Sequence, residues 1–310
     1  MLRIVLLLFG CLLLLVQQFV YPLSTNLQFI IFIIGILLLG VPHGAADLLV
    51  ATQNADGGKR AFSKIRFLSV YMGRLLLFAA TLWFFPVVGN ILFIFFAAYH
   101  FGETDLYQFK TDTLTGKLFV ISYGLVILSV ILLHHFEDVI PLLLQFESGR
   151  ENISLINWID IHRYHILSVS GMLFFTIAFI YFLRNNHPGN NESGFFLIRF
   201  GIILFILFNL PMLLGFTFYF VVWHSFLSLH NIVSYLRNKS RFDKITIAKQ
   251  ILFYSGLAIA GIVVIGSGFM FMSTSATMGY LFLSLAVLTA PHMQIMHEMY
   301  YRIRTGLTSK

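Results

Sequence analysis

Long apolar runs without a single charged residue leave this chain little choice of solvent. Ile4–Leu23, Phe29–Val41, Leu75–Val88, Leu118–Leu133 and Ile251–Met272 contain no Asp, Glu, Lys or Arg. Several approach the ~20 residues that carry a helix across ~30 Å of hydrocarbon. Strand-like alternation with a turn signal every ten residues or so is absent from the sequence, which argues against an outer-membrane barrel. Only 11% of the 310 residues are charged, against about a quarter in soluble domains, so a folded surface could not be covered with polar groups. The expected fold is all-α: a polytopic integral membrane helical bundle of about ten transmembrane helices, forming one membrane-embedded domain over residues 1–310.

The expected helices run over residues 3–22, 26–50, 67–86, 90–109, 117–134, 165–183, 195–214, 216–236, 248–272 and 278–300. Basic residues set their orientation. Lys59, Arg60, Lys64 and Arg66 share one loop, Arg237, Lys239, Arg241 and Lys244 another, Lys110 and Lys117 flank a third, and Arg302, Arg304 and Lys310 mark the tail. All four groups fall on one side if ten helices alternate, while Glu137, Asp138, Glu147, Glu151 and Asp160 fall on the other. The expectation is therefore an inner (plasma) membrane protein with both termini cytoplasmic, and the net charge of +7 reflects topology rather than nucleic-acid binding. Val139–Phe146 is too short to span and is expected to lie along the interface. Cys11 is the single cysteine, which excludes an intramolecular disulfide and a cysteine-rich metal site. Leu8-Phe9-Gly10-Cys11 loosely resembles a lipoprotein cleavage box, but the apolar run continues past it and Ile4–Leu23 is read as a transmembrane helix.

Four motifs interrupt the apolar helices: Pro42-His43-Gly44-Ala45-Ala46-Asp47, Tyr99-His100-Phe101-Gly102-Glu103-Thr104-Asp105, Trp223-His224-Ser225-Phe226-Leu227-Ser228-Leu229-His230 and Pro291-His292-Met293-Gln294-Ile295-Met296-His297-Glu298. They fall on the second, fourth, eighth and tenth expected helices, which all run toward the cytoplasm. Each leading histidine lies about 10–20 Å before the inner end at ~1.5 Å per residue, so four imidazoles at a common depth are placed to converge on one metal ion. Ionisable groups at that depth are costly and mark function, and neutral imidazole suits iron, copper or zinc. A lone histidine bonded to a carbonyl of a neighbouring helix is the ordinary alternative for any one of them. Asp47 and Glu103 follow His43 and His100 by four and three residues, close enough on a helix face to orient a ligand. His230 and His297 do not share a face with His224 and His292 and are placed outside the ligand set, with Glu298 beside them. His134, His135, His162, His165 and His187 are expected in loops or at helix ends. Gly44 and Gly102 fit either close helix approach or space beside a ligand, and Pro42 and Pro291 fit helix bending.

Through these motifs, in order and across essentially the whole chain, the sequence resembles the Brp/Blh family of bacterial and archaeal membrane β-carotene 15,15'-dioxygenases. The resemblance implies cleavage of the central double bond of β-carotene by O₂ to give two molecules of retinal, with Fe(2+) held by histidines. It implies ligand roles for His43, His100 and His224. The third family motif usually reads His-Ser-x-x-His, and Ser228 stands here where its second histidine would be. His292 is the preferred fourth ligand on grounds of depth, with His230 behind it. Asp47, Glu103 or Asp105 would balance the charge of an all-histidine centre. The implied partners are a lipid-soluble carotenoid, O₂ and membrane lipid, with no nucleic acid and with handover of retinal to a rhodopsin. Competing readings are a metal-ion or proton transporter and a non-catalytic carotenoid- or retinal-binding membrane protein.

Overall fold

In a computed structural model, the described residues are 1–55, 62–185, 191–239, 243–270 and 277–306, and they form helices with no strand among them. The long helices are α1 (Leu2–Val20), α2 (Thr25–Ala55), α3 (Lys64–Phe84), α4 (Pro86–Leu106) and α5 (Leu114–His134). Two short helices follow, α6 (Phe136–Leu143) and α7 (Glu147–Glu151), where the sequence led us to expect an interfacial segment. The remainder are α8 (Ile153–Arg184), α9 (Asn191–Asn209), α10 (Met212–Asn238), α11 (Lys244–Met270) and α12 (Thr277–Arg304). Each of the ten expected helices has its counterpart among the described residues. Eight are long and apolar enough to cross a membrane; of the other two, α9 contributes a shorter apolar stretch, Phe195–Asn209, and α12 carries His292, His297, Glu298, Arg302 and Arg304. The protein is a polytopic helical bundle.

Local chemistry marks where the helices begin. The Ser24, Ser63 and Thr113 hydroxyls accept from the N–H groups of Leu27, Arg66 and Gly116, each satisfying a donor that has no partner within its helix. Asp243 does the same for the Thr246 N–H at 3.0 Å, and these bonds from Thr246 hold its carboxyl below the usual carboxylate range. Pro86 opens α4, where a missing N–H costs nothing.

Packing divides the interior into three apolar clusters. The largest gathers α1, α4, α5, α8, α9 and α10 around Phe119, Phe174, Ile206 and Phe218. A second joins α2, α10, α11 and α12 through Val50, Ile232, Met296 and Met299, and a third joins α3, α4 and α12 at Phe78 and Ala286. Helices α4 and α5 touch backbone to backbone. A Cβ at Gly102 would fall on the Val120 carbonyl, and one at Gly124 on the Ala98 carbonyl. Those two glycines set how deep α4, and so His100, sits in the bundle.

Candidate metal centre

Each of the four helices delivers its histidine to one buried spot. His43 lies on α2, His100 on α4, His224 on α10 and His292 on α12, with relative exposures of 5%, 2%, 0% and 6%. Two of these positions are prepared by π-helical turns. Ile36–Gly40 lies just upstream of Pro42, whose ring cannot donate, and the Val41 N–H bonds back to the Ile36 carbonyl. Thr217–Ser225 contains His224 itself. Such widened turns rotate the residues that follow and recur at functional sites.

The rings meet edge to face. Ring centroids are 4.6 Å apart for His100 and His224, 4.8 Å for His100 and His292, and 4.8 Å for His43 and His292. The His224 and His100 Nε2 atoms are 3.0 Å apart. One nitrogen from each of His43, His100 and His224 lies within 4.8 Å of the others. Nitrogens bound about 2.1 Å from one ion are themselves about 3–4 Å apart, so the spacing fits a shared metal. The bonding pattern fits too. His100 and His224 turn their Nε2 atoms toward each other, and His292 Nε2 is buried with no hydrogen-bond partner among the described residues, an expensive arrangement for a polar atom that an ion would relieve. This buried three-histidine group, with His292 against it, has the donor set and the geometry to bind a metal ion.

The carboxylates are distributed differently from the expectation drawn from helical spacing. Asp47 does not serve its own helix neighbour His43. The helix breaks at Ala46, whose ψ is −7°, so positions 43 and 47 no longer share a continuous face. Asp47 instead accepts from His292 Nδ1 at 2.7 Å and from the Tyr71 hydroxyl at 3.0 Å. Glu103 does not reach His100. It pairs with His297 Nδ1 at 2.7 Å and with Arg304 at 3.4 Å, and accepts from Tyr99. Asp105 accepts from the Tyr123 and Tyr219 hydroxyls at 2.7 and 3.0 Å and from the Trp223 indole at 3.0 Å, so it anchors the residue beside His224 rather than facing the cluster.

The remaining candidates separate cleanly. His230 is exposed, which removes it as the fallback fourth ligand: six residues from His224, it points off the opposite face. His297 is half-buried in the Glu103 pair, and Glu298 is exposed and bridged to Arg302 at 2.9 Å. Ser228 is fully buried one turn below His224, where its hydroxyl and that of Thr104 lie beside the Tyr300 hydroxyl. Trp223 is buried against Asp105. Gly102 serves helix contact, whereas a Cβ at Gly44 would meet nothing within 4 Å. His162 and His165, expected in a loop or at a helix end, lie inside α8, which starts at Ile153 rather than near residue 165. His187 lies outside the described residues. Tyr71 and the π-helical turns carried no signal in the sequence, since a tyrosine on an apolar helix looks like any other.

Beside the rings lies an aromatic row. Phe220 stacks near-parallel with His224 and meets His43 edge-on. Phe216 stacks on Phe220 at 5.2 Å, and Phe32 and Phe282 close on Phe216 at 5.7 and 5.3 Å.

No curated protein and no solved structure matches the chain. A family model described as Beta-carotene 15,15'-dioxygenase matches residues 34–300, a stretch that takes in all four histidine motifs. On that match, the chain belongs to the beta-carotene 15,15'-dioxygenase family.

Proposed function

We propose that this protein is an iron-dependent dioxygenase that cleaves β-carotene at its central 15,15' double bond with O₂, releasing two molecules of retinal. The observation that carries this reading is the meeting of four imidazoles from four helices in a buried, apolar setting, within a chain of that family. A ferrous ion held by His43, His100, His224 and His292 would supply the redox chemistry that lets O₂ react with an alkene.

The protein's own residues supply the setting. The four histidines are 0–6% exposed, so bulk water is kept from the reacting centre. Asp47 turns His292 so that its Nε2 faces the other rings. Phe220, Phe216 and Phe282, backed by the buried Phe32, form an apolar aromatic row beside His43 and His224, a setting that suits a conjugated chain arriving from lipid. The same row argues against ion transport, because phenylalanine offers a passing cation no oxygen or nitrogen ligand. The membrane in question is the inner (plasma) membrane, with both termini in the cytoplasm.

Expression in a carotene-accumulating bacterial host tests the proposal. The yellow colour should bleach and retinal should appear, and His43→Ala, His100→Ala or His224→Ala should abolish both. A folded, iron-loaded preparation that yields no cleavage product from β-carotene would overturn it. Carotenoid retained unchanged by that preparation would identify a binding protein instead.

A further inference from the structure

Of the four imidazoles at the centre, His292 is the one with a carboxylate as its bonding partner. Its Nδ1 lies 2.7 Å from Asp47 Oδ1, and the side chains are 7% and 5% exposed. A carboxylate facing a neutral ring accepts, so Nδ1 carries the hydrogen and Nε2 keeps its lone pair. That Nε2 is buried and has no hydrogen-bond partner, and its ring centroid is 4.8 Å from both His43 and His100. The second Asp47 oxygen takes the Tyr71 hydroxyl at 3.0 Å. A chain of two bonds therefore runs from α3 through α2 to α12, and it ends on a ring packed against His43 and His100. His100 and His224 have no such support, their Nδ1 atoms being unpartnered, and His43 has only the Leu39 and Gly40 backbone of its own helix within bonding reach. The other two buried carboxylates nearby are committed elsewhere, Glu103 to His297 and Arg304, and Asp105 to Tyr123, Tyr219 and Trp223.

We infer that Asp47 and Tyr71 are positioning residues that fix the tautomer and orientation of His292 and make it the strongest donor of the site. Asp47 then supplies the one negative charge in direct bonding contact with the ligand set. This rests on the proposed metal site and adds to it an unequal division of labour among its ligands. A ligating histidine whose other nitrogen donates to a carboxylate is a better base and is held in one ring orientation. The position one turn below His224 is filled by a serine, and the further imidazole packed against the group is that of α12. That helix carries its histidine 245 residues from Asp47 in sequence, and the Asp47 bond is what ties the two together.

The test is titration of metal-free, detergent-solubilised full-length protein with Co²⁺, reading affinity and the visible ligand-field bands. Asp47→Ala should weaken binding about 10–100-fold and shift the bands. Asp47→Glu should recover part of the loss, and Tyr71→Phe should give a smaller loss of the same kind. Wild-type affinity and unchanged bands in a folded Asp47→Ala protein would overturn the inference. If Asp47→Ala does not fold, Tyr71→Phe decides: an unchanged spectrum overturns it and a shifted one supports it. Failure of the wild type to bind Co²⁺ would instead remove the metal site itself, and loss of binding in His43→Ala alongside unchanged Asp47→Ala would remove only the positioning role.

Discussion

At the scale of single residues, function turns on which nitrogen faces the centre and what holds it there. His292 and Ser228 make the clearest pair. His292 sits against His43 and His100 with Asp47 behind it, whereas Ser228 lies one turn lower, fully buried beside Thr104 and Tyr300. Placing an imidazole at 228 inserts volume into a packed site, at a cost of about 1–3 kcal/mol. Ser228→His is therefore expected to lower the thermal midpoint without adding metal affinity. His292→Ala is expected to abolish stable metal binding and with it retinal formation. Metal content and melting temperature of the two variants check this; a tighter-binding Ser228→His protein would restore the family's pattern as the true ligand set. His230→Ala should be silent, since that ring is exposed. The sequence placed His43, His100, His224 and His292 at one depth, and the rings do meet. It could not assign the carboxylates, because helical spacing relates residues on one helix, and these bonds cross between helices.

At the scale of elements, the site depends on how closely α4 approaches α5. Gly102 and Gly124 each face a carbonyl of the other helix, so neither tolerates a side chain without parting the two backbones. Backbone carbonyls cannot yield as a flexible side chain would. Gly102→Ala is therefore expected to cost at least the ~1–3 kcal/mol of an overpacked core and to displace His100, two residues earlier. Gly44→Ala is the contrasting case, since nothing lies within 4 Å of the added methyl; it should leave the melting temperature unchanged or slightly raised, as Ala is the better helix former. Thermal unfolding in detergent, with metal content measured alongside, separates the two. Equal tolerance of both substitutions would show that α4 and α5 have room to spare. The break at Ala46 is the other decisive local feature. It lies between His43 and Asp47, and Asp47 bonds across to His292 on α12.

At the scale of the whole molecule, orientation governs everything that concerns depth. The four histidine-bearing helices α2, α4, α10 and α12 bring their rings together, as four parallel helices with histidines at matched heights should. The proposed orientation, with the basic loops on the cytoplasmic side, is open to direct test. Reporter fusions after residues 60, 240 and 310, positions outside the described residues, should all report the cytoplasm, and a fusion near Arg150, in α7, should report the opposite side. Disagreement among the first three would break the alternation of ten helices and the placement of both termini.

The sequence by itself determined the solvent, the helical class, the number of long helices and the four histidines that come together. Each of these follows from local composition: apolar length decides what crosses lipid, and a histidine in such a run must find company inside the protein. Tertiary structure alone decided which carboxylate serves which ring, that Gly102 is a contact and Gly44 a space, that His230 faces outward, and that Tyr71 takes part. Those outcomes depend on the rotation and approach of neighbouring helices, which π-helical turns, the break at Ala46 and glycine contacts adjust by fractions of a turn. An average helical period cannot resolve such fractions. They nonetheless decide that Asp47 bonds to His292 on another helix.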